Sequence, residues 1–586
     1  MTYSAPVDDI VAALKAVADL EGRLARGMYP GLDEETVRAV FDEAGAFAAD
    51  VLAPLNGPGD RAGSKLIDGV VVTPPGFKEA YKQFANGGWS ALPCPETYGG
   101  QELPEIVSAA VCEIWNSANM AFGMCPLLTQ GAIHAIEAGG SDALKATYLP
   151  KMISGQWTGT MNLTESHAGS DLSELKSRAE RQGDGSYRIT GTKIFISFGD
   201  HDMAENIIHL VLARLPDAPG GTRGISLFLV PKFLLNDDGT LGQCNDVVCA
   251  GVEHKLGITA SPTCVMKFGE KGGATGFLVG EENRGLATMF VMMNQARLAV
   301  GMQGVAVAER ATQRAIAFAR ERTQGRASNA NGPGMSPIVA HPDIRRTLLT
   351  MKAMTQAARM ICLATAAELD TAHLSSNTEL AAAARNRAAL LTPIAKAFAT
   401  DTGVDVASLG IQVHGGMGFV EETGAAQYLR DARILPIYEG TNGIQAIDLV
   451  MRKLPLEGGA VVANYFASVA AVAADVQAAN RLELGRTGTY LKDGLAALQS
   501  ATRWMGGTIK ENPDAALAGA TPYLRLFSLV AGASYLARGA LRADARAADV
   551  VLARFFAENC LTAASGLAES IMSGSESVLA DAGVLA

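Results

Sequence analysis

One β-rich stretch, residues 159 to 282, lies between two regions whose apolar residues recur at helical spacing. Within the stretch, runs such as SYRITGTKIFIS, NIIHLVLARL and GISLFLVPKFLL combine β-branched and aromatic residues and are separated by turns. Before it, segments such as DDIVAALKAVADLEGRLARG are typical of amphipathic helices, and no strand pattern is visible. After it, Ala-rich helical segments continue along the chain. The sequence therefore predicts a central β-domain between helical domains.

The length of the chain predicts several domains. It has 586 residues, more than one hydrophobic core normally supports. We predict a mostly α protein with a central β-domain, divided into four segments. These are a helical N-terminal domain with an N-terminal extension (1–158), a β-domain (159–282), a helical-bundle domain (283–455) and an additional helical C-terminal domain (456–586).

Charge and targeting signals limit the classes of partner. The 49 basic and 60 acidic residues give a formal net charge of −11, which argues against nucleic acid or an anionic membrane as the main partner. The N-terminal MTYSAPVDDIVAAL lacks the basic and apolar regions of a signal peptide, and we expect no segment that is apolar for long enough to span a bilayer. We therefore predict a cytoplasmic protein without membrane insertion.

Cysteine spacing and missing motifs exclude several kinds of site. No CxxC pair occurs, so reduced structural thiols are favoured over disulfides or zinc. Cys244, Cys249 and His254 are close in sequence, but their spacing does not fit a zinc finger, and we predict no metal. The chain also lacks GxxxxGK[ST], HExxH, GxSxG and a GxGxxG placed between a strand and a helix. A bound nucleotide would have to use another fold.

Two polar segments stand at the start of the β-domain. The segment MNLTESHAGSDL, residues 161–172, offers the hydroxyls of Thr164 and Ser170 and free backbone N–H groups, although an ordinary loop has the same composition. The second is the predicted strand KIFIS, in which Phe195 and Ser197 lie on the same face. Alone, it is simply a strand.

A glycine-rich segment interrupts the last helical domain before the tail. In IQVHGGMGFVEETG, Gly415, Gly416 and Gly418 break a helical pattern and would let a phosphate or another backbone approach closely. A plain turn between helices is the alternative. His414 on its own is more typical of a packing histidine than of a ligand.

A single carboxylate marks the fourth segment, ILPIYEGTNGIQAIDLV. Glu439 lies between an apolar run and the turn Gly-Thr-Asn-Gly. Thr441 and Asn442 are good N-cap types, which predicts a helix start directly after Gly440. Glu439 is either a solvated loop residue or a base kept in a dry site, beside N–H groups that could hold an oxyanion or a flavin oxygen.

Together the four segments, TESHAGSD, FIS, QVHGGMGF and YEGTNGIQ, resemble the acyl-CoA dehydrogenase family in type and order. The match covers roughly residues 35 to 453. The N-terminal YSAP and the long helical tail resemble the larger bacterial subclass that includes the 3-methylthiopropanoyl-CoA dehydrogenases. The resemblance implies the fold of that family, a helical domain, a β-barrel-like domain and a helical bundle, plus an additional helical C-terminal domain.

The resemblance also implies a reaction. Glu439 matches the base that removes the α-proton of an acyl-CoA thioester while the β-hydrogen leaves as hydride to the flavin of FAD. The product would be the trans-2-enoyl-CoA of a short-chain or 3-methylthiopropanoyl group. The chemistry agrees, because the α-proton is weakly acidic and needs both a base in a dry site and fixed donors at the thioester oxygen. No side chain accepts hydride, so a redox cofactor is required.

Further site residues follow from the same resemblance. Those implied to bind FAD are Met161, Asn162, Leu163, Thr164, Ser170, Phe195, Ile196, Ser197, Arg322, Gln412, Val413, His414, Gly415, Gly416, Thr441 and Asn442. Those implied to bind substrate are Ser170, Asn294, Arg297 and Gly440. For Arg297 the alternative is a surface arginine near a helix start. Phe195 replaces the commoner Trp, and Pro342 replaces a Gln that usually contacts the cofactor.

The implied partners are an acyl-CoA, an electron-transfer flavoprotein and a second copy of the chain. In the family, residues matching Arg322 and 412–416 meet the FAD of a neighbouring subunit, which implies a homodimer or tetramer. Three alternatives stay open: an acyl-CoA oxidase, a flavin-containing DNA-binding relative and a purely structural module. The DNA-binding relative has a basic tail, whereas residues 461–586 carry 10 Arg and Lys against 11 Asp and Glu.

Overall fold

The protein consists of two compact units. A computed structural model describes residues 3–328, 333–580 and 583–584. Unit 1 comprises Met1–Ala46, Glu105–Ser117 and Val300–Ala586, and unit 2 comprises Phe47–Pro104 and Ala118–Ala299. Both units are therefore assembled from segments that are separated in sequence. The predicted division into four segments is a division along the sequence and stays a prediction.

Helices dominate the described residues. In chain order they are α1 (Val7–Ala18), α2 (Leu20–Ala25), α3 (Glu34–Phe47), α4 (Ala53–Ala62), α5 (Phe77–Asn86), α6 (Glu105–Gly139), α7 (Asp142–Ile153), α8 (Gly285–Glu321), α9 (Pro342–Leu374), α10 (Thr378–His414), α11 (Ala425–Ala432), α12 (Asn442–Asp448), α13 (Ala460–Ala479), α14 (Thr487–Glu511), α15 (Pro513–Ala518), α16 (Ala520–Leu541), α17 (Ala547–Asn559), α18 (Ala564–Ser573) and α19 (Ser575–Leu579).

The strands are concentrated in the middle of the chain, as predicted. They are β1 (Lys65–Ile67), β2 (Val70–Val72), β3 (Trp157–Asn162), β4 (Arg178–Arg181), β5 (Tyr187–Ser197), β6 (Asn206–Arg214), β7 (Ile225–Pro231), β8 (Phe233–Leu235), β9 (Leu241–Cys244), β10 (Val247–Val252), β11 (Thr263–Phe268) and β12 (Ala274–Val279).

The core of unit 1 is built from long helices in close contact. The α9 and α10 helices pack along each other, and the C-terminal part of α8 crosses α10 where both carry glycine. A Cβ on Gly304 would lie 2.3 Å from the carbonyl oxygen of Ala399, so only glycine permits this approach. The N-terminal α1 packs on α9 and on α16 of the C-terminal segment. Both ends of the chain thus contribute to one helical unit.

Two helical segments in the tail revise the expectation about membranes. Leu456–Ala479 and Ala547–Ser573 are long and apolar enough to cross a membrane by length and composition alone. The core helices of many proteins pass the same test. Within unit 1, α13 packs on α14 and α16, while α17 packs on α16 and α9. Their apolar faces are therefore used, at least in part, for packing between helices.

Unit 2 is centred on an eight-stranded sheet. Seven strands follow the order β10-β11-β5-β12-β7-β6-β3, and β4 pairs with β5 and β6. All pairs are antiparallel except β3 with β6 and β4 with β6. One face packs on helices through a cluster that includes Leu149, Trp157 and Leu227. The other holds a second apolar cluster around Val211 and Phe228.

A β-hairpin lies in the region where no strand was predicted. The strands β1 and β2 pair in register, and the two residues between them, Asp68 and Gly69, both have positive φ. Such an Asp-Gly pair is a strong hairpin signal, because its backbone twist matches that of the flanking strands. The predicted helical N-terminal domain therefore contains this small sheet as well.

Candidate active site

The segment around Glu439 forms a sharp corner in unit 1. Glu439 and Gly440 have φ values of 56° and 83°. The first is in the left-handed region, which a residue with a Cβ adopts only at a conformational cost. Thr441 caps the following α12, since its Oγ1 accepts the N–H of Ile444 at 3.2 Å. The predicted helix start after Gly440 is confirmed.

A buried hydrogen-bond network holds this corner from behind. Lys396 in α10 has no exposed surface, and its Nζ donates to Gly440 O at 2.9 Å and to Asn442 Oδ1 at 2.8 Å. The amide of Asn442 donates in turn to Asp401 Oδ1 at 2.7 Å. The Asn442 side chain is thus engaged on both sides within unit 1. The amide of Asn442 thus serves as an internal brace, and the predicted contact of this residue with the cofactor stays a prediction.

A second chain of hydrogen bonds ends next to the carboxylate. The hydroxyl of Tyr438 donates to Gln303 Oε1, and Gln303 Nε2 donates to Asn116 Oδ1 at 3.0 Å. Asn116 Nδ2 then donates to Cys112 O at 2.8 Å. Burial, and then the negative charge of Glu439, raise the pKa of Tyr438 well above its ordinary value. Tyr438 therefore keeps its proton and remains a donor. Its hydrogen bond to Gln303 fixes the position directly before Glu439.

The glycine-rich turn follows the end of α10. Gly415 has a φ of 60°, and a Cβ on Gly418 would lie 2.3 Å from Ile411 O, so the fold of this chain requires both glycines. A Cβ on Gly416 would meet no atom within 4 Å, and its φ is not in the left-handed region. Nothing in the part of the chain that the structure describes explains a glycine at position 416. The fold thus requires Gly415 and Gly418, whereas Gly416 is open to a contact from outside the chain.

The side chains beside this turn have mixed placements. His414 is 7 % exposed, stacks on Phe318 with ring centroids 4.5 Å apart, and donates from Nδ1 to Gly410 O at 2.7 Å. Burial lowers its pKa. Val413 is also buried, so these two residues could reach a ligand mainly through their backbone. Gln412 and Arg322 are exposed.

In unit 2, the predicted TESHAGSD loop is fastened to β5. Met161 and Asn162 are the last two residues of β3 rather than part of the loop. Asn162 is fully buried and bonds to His209 Nδ1 through its Nδ2 at 3.2 Å, so its side chain faces the interior of the sheet. The carbonyls of Leu163 and Thr164 accept from Lys193 Nζ and from Ile194 N. The loop therefore has a fixed path.

A buried ion pair underlies that attachment. Lys193 Nζ lies 2.9 Å from Glu165 Oε1, and the same carboxylate accepts the Ser177 hydroxyl at 2.6 Å and the Lys176 N–H at 2.8 Å. Burial would raise the pKa of Glu165, but the Lys193 ammonium and these hydrogen bonds outweigh burial and lower the pKa to about 2. Burial, partly offset by Glu165, lowers the pKa of Lys193 to about 8. Both groups are charged at neutral pH.

The strand that contains Phe195 is irregular. Between Lys193 and Ile196, β5 has one residue more than the facing part of β11, and Phe195 has a φ of 59°. Such a bulge redirects side chains, so simple alternation no longer determines which residues share a face. The ring of Phe195 is 60 % exposed, whereas Ile196 is buried and Ser197 half-buried. Ser170, in the preceding loop, is exposed.

The two residues predicted to bind CoA lie one turn apart on α8. Arg297 Nη1 is 3.4 Å from Asn294 Oδ1, and the guanidinium lies 6.0 Å from the ring centroid of Phe290. Arg297 is only 8 % exposed, so the alternative of a surface arginine is wrong. Asn294 is exposed. Pro342, the departure from the family pattern, is the first residue of α9, a position that favours proline.

The sequence did not identify Lys396 or the Glu165–Lys193 pair as parts of the site. A lysine in an Ala-rich helix is usually solvated, and one in a strand can lie on the outer face. The available signal was weak: Lys193 directly precedes the apolar residues of KIFIS, and Lys396 lies in the apolar run TPIAKAFAT. Their partners, 28 and 44 residues away, come from segments that meet only in the fold.

Four family models match the chain. They are described as the N-terminal domain (residues 34–156), the middle domain (160–271) and the C-terminal domain (283–454) of acyl-CoA dehydrogenase, and as acetyl-CoA dehydrogenase C-terminal like (465–581). The last match falls in the tail that was predicted to be an additional helical domain. These matches confirm the predicted fold class.

Individual relatives extend the similarity over nearly the full chain. The 3-methylmercaptopropionyl-CoA dehydrogenase of Ruegeria pomeroyi is 47 % identical over 563 residues, which cover 96 % of this chain and 95 % of the relative. A butyryl-CoA dehydrogenase of Syntrophomonas wolfei is 35 % identical over 481 residues, which cover 80 % of this chain and 78 % of that relative. The crystal structure of Caenorhabditis elegans ACDH-11 in complex with C11-CoA shares the fold, with a TM-score of 0.81, 19 % identity and coverage of 99 % and 96 %.

These similarities confirm that the protein is an oxidoreductase. They also confirm the family that the four sequence segments resemble. The chain belongs to the acyl-CoA dehydrogenase family.

Proposed function

We propose that this chain is an FAD-dependent acyl-CoA dehydrogenase acting on short acyl groups, first of all 3-methylthiopropanoyl-CoA, with Glu439 as the base. The observation that carries the proposal is the capped, left-handed corner at Glu439, which a fully buried lysine supports from behind. The acyl group is suggested by the relative from Ruegeria pomeroyi, whose name refers to the same group. The product would be the trans-2-enoyl-CoA.

In this reaction Glu439 takes the α-proton of the thioester. That proton is weakly acidic, so the base must be fixed beside it and the developing negative charge on the thioester oxygen must be met by donors. We assign one of these donors to the backbone N–H of Glu439. The residues of unit 2 described below would hold FAD, which would supply the acceptor for the hydride of the β-carbon, since no side chain can accept hydride. The substrate thus loses one proton and one hydride and gains one double bond.

The residues of unit 2 fit a flavin. Phe195 exposes 60 % of its surface from a bulged strand and offers a flat apolar surface to an aromatic ring. The loop fastened to the same strand carries the hydroxyls of Thr164 and Ser170, which are suitable partners for polar ring edges. We propose that Met161, Leu163, Thr164, Ser170 and residues 195–197 hold the cofactor. Asn162 would contribute only backbone groups.

The glycine turn supports a homo-oligomer. Gly415 follows Lys396, which holds the base corner, by 19 positions at the end of the same helix, roughly 28 Å away at 1.5 Å per residue. Within one chain, the corner that contains Glu439 is therefore far from the glycine-rich turn. Beside the turn, Met417 and Phe419 are 53 % and 87 % exposed, more than isolated apolar residues normally are. We propose that this turn and Arg322 meet the cofactor of a second copy.

The remaining assignments complete the proposal. Asn294 and the mostly buried Arg297 would bind the CoA part of the substrate, together with Ser170 and Gly440. Electrons would leave to an electron-transfer flavoprotein in the cytoplasm. Thr441 caps α12 and would contact the cofactor in addition.

The role of Glu439 can be tested by Glu439→Gln. The variant keeps the size of the side chain but cannot accept the proton, so we expect normal flavin content and a more than about hundredfold slower bleaching of the flavin by acyl-CoA under anaerobic conditions. Stopped-flow absorbance measures the rate. The exposed Glu180→Gln is the matched control and should bleach at the wild-type rate. Bleaching of Glu439→Gln at an undiminished rate would refute the assignment.

The substrate and the electron acceptor are tested with the wild-type protein. We expect 3-methylthiopropanoyl-CoA and butyryl-CoA to bleach the flavin faster than acyl-CoAs with long chains. Equal rates across the panel would contradict the proposed substrate class. Stoichiometric peroxide in air, without an added electron-transfer flavoprotein, would instead identify an acyl-CoA oxidase.

A further inference from the structure

Lys396 is buried in an otherwise small and apolar part of α10. It has no exposed surface, and its neighbours along the helix include Ile394, Ala397 and Phe398, all of them buried. An ammonium group in such a place is costly unless it is matched by hydrogen bonds and by a counter-charge. A lysine retained there indicates a specific task.

The hydrogen bonds of Lys396 are directed at the turn that contains Glu439. Its Nζ donates to the carbonyl of Gly440 at 2.9 Å and to Asn442 Oδ1 at 2.8 Å. Gln445 Nε2 lies 3.3 Å from the carbonyl of Glu439 and 3.2 Å from that of Gly440. Lys396 and Gln445 therefore hold the carbonyls of Glu439 and Gly440. Lys396 also holds the side chain of Asn442.

This turn needs such support, because its backbone does not favour the observed conformation. Glu439 has a φ of 56° although it carries a Cβ, and Gly440 follows with 83°. A non-glycine residue stays in the left-handed region only where the surroundings hold it there. Without the Lys396 donor, only Gln445 would hold the Gly440 carbonyl, so the turn and the carboxylate of Glu439 would be fixed less firmly.

The charge of Lys396 is balanced through an amide. The oxygen of Asn442 faces the ammonium, while its Nδ2 donates to Asp401 Oδ1 at 2.7 Å. The amide dipole thus lies between a cation and an anion in the favourable direction. One turn further on, Arg525 of α16 lies over the ring of Phe398 at 5.4 Å and 3.9 Å from Asp405. The C-terminal segment therefore packs on the same part of α10.

We propose that Lys396 is a positioning residue for the dehydrogenation, which fixes Glu439 by holding the Gly440 carbonyl and, through Asn442, is charge-balanced by Asp401. The proposal rests on the proposed role of Glu439 as the base. It also gives the C-terminal segment a function, since α16 packs on α10 and on α12 and so supports the network from outside. Lys396 itself does not touch the substrate.

The test replaces Lys396 by methionine, which has a similar length but no donor. Removing one member of a buried, charge-balanced group lowers stability, so the fold and the FAD content of the variant are checked first. We expect kcat to fall by about 10- to 100-fold, as for a misplaced catalytic group, while KM changes by less than about threefold. We also expect faster hydrogen exchange in the peptide Pro436–Gln445, measured by mass spectrometry without substrate.

Two further variants complete the test. Lys396→Arg keeps the charge with a different donor geometry and should recover part of the exchange protection and part of kcat. If Lys396→Met does not fold, this variant alone decides: unchanged protection and kcat would overturn the proposal. The control Lys352→Met removes a partly buried lysine that pairs with Asp9 at 2.5 Å. It should leave both the turn and kcat unchanged.

The outcomes separate this proposal from the proposed function. Wild-type exchange and wild-type kcat in Lys396→Met, with bleaching abolished in Glu439→Gln, would overturn only the role of Lys396. Undiminished bleaching in Glu439→Gln would overturn the role of Glu439, whatever the exchange data show. Loss of kcat in Lys396→Met with an unchanged exchange pattern would also overturn positioning as the role of the lysine.

Discussion

Glu165 and Lys193 form an ion pair where the TESHAGSD loop, β5 and the residues directly before β4 meet. Neither side chain is appreciably exposed, and the carboxylate accepts bonds from the Ser177 side chain and from two backbone N–H groups as well. Removal of one member of such a pair leaves the other buried without its counter-charge. The position of the TESHAGSD loop therefore depends on a carboxylate that is not expected to touch the substrate.

This pair predicts a pH-dependent contribution to stability. The pKa of Glu165 is about 2 in the folded protein against an ordinary value of 4.5. Between these two values the unfolded chain binds a proton that the folded chain does not, so stability rises with pH in that interval. We expect Glu165→Gln to cost about 3 kcal/mol at pH 7 and progressively less as the pH falls from 4.5 towards 2.

Urea unfolding of both proteins at a series of pH values measures this difference. The exposed Glu180→Gln serves as the control and should stay within about 0.5 kcal/mol of the wild type at every pH. A cost of Glu165→Gln that is constant from pH 7 to pH 3 would contradict the ion-pair interpretation.

Sequence patterns identified the residue at the corner but not the residues that support it. Glu439 stands out because a carboxylate between an apolar run and a capped turn is unusual. Lys396 does not stand out, because its importance lies in a hydrogen bond to Gly440, which is remote in sequence. The internal bonds of Asn442 escaped prediction for the same reason: a good N-cap type is visible in a sequence, whereas tertiary neighbours decide the direction of its amide.

At the level of elements, the glycine-rich turn after α10 combines two kinds of glycine. Gly418 is required because Ile411 O occupies the place of a Cβ, whereas Gly416 has open space around it. A turn needed only for chain reversal would not need glycine at position 416. The proposed contact with the cofactor of a second copy explains both the open space and the exposed apolar residues nearby.

A comparison of two alanine variants tests this explanation. Gly416→Ala should leave the thermal unfolding of the flavin-free protein unchanged but lower the flavin-to-protein ratio after purification, since the added methyl group projects into the space for the ligand. Gly418→Ala should lower the unfolding temperature in both forms, because the methyl group would lie 2.3 Å from a backbone oxygen. An unchanged flavin content in Gly416→Ala would remove this turn from the cofactor site.

Most elements could be predicted from periodicity, and the failures have specific reasons. The long helices α9 and α10 and the strands β6, β7 and β11 coincide with patterns in the sequence. The hairpin β1–β2 escaped because each strand has only three residues, too few for alternation, although its Asp-Gly turn was a usable signal. The bulge in β5 could not be foreseen, because it depends on the register with β11.

At the scale of the whole molecule, unit 1 joins parts of the chain that are far apart in sequence. Arg359 in α9 is fully buried and bonds to Glu113 in α6 at 2.6 Å and to Glu309 in α8 at 2.9 Å. The attraction of both carboxylates outweighs burial and raises the pKa of Arg359, so the group stays charged. A single guanidinium thus connects three helices.

We expect Arg359→Met to destabilise the protein by about 3–5 kcal/mol, because two carboxylates remain buried without their common partner. The control is Arg346→Met on the same helix, where the pair with Asp343 is exposed and should contribute less than about 1 kcal/mol. Chemical denaturation monitored by circular dichroism measures both changes. Equal effects of the two variants would show that the buried cluster contributes no more than a surface pair.

The interleaved course of the chain also has a consequence for synthesis on the ribosome. The apolar face of α1, with Ile10 and Leu14, is covered by α9 and α16, which are translated much later. At about 5–20 residues per second, the chain between Ala18 and Leu541 takes on the order of 25–100 s to produce. During that time unit 2 can fold, whereas the first helix must wait with its apolar side uncovered. A nascent chain of this kind depends on protection from aggregation until its last helices emerge.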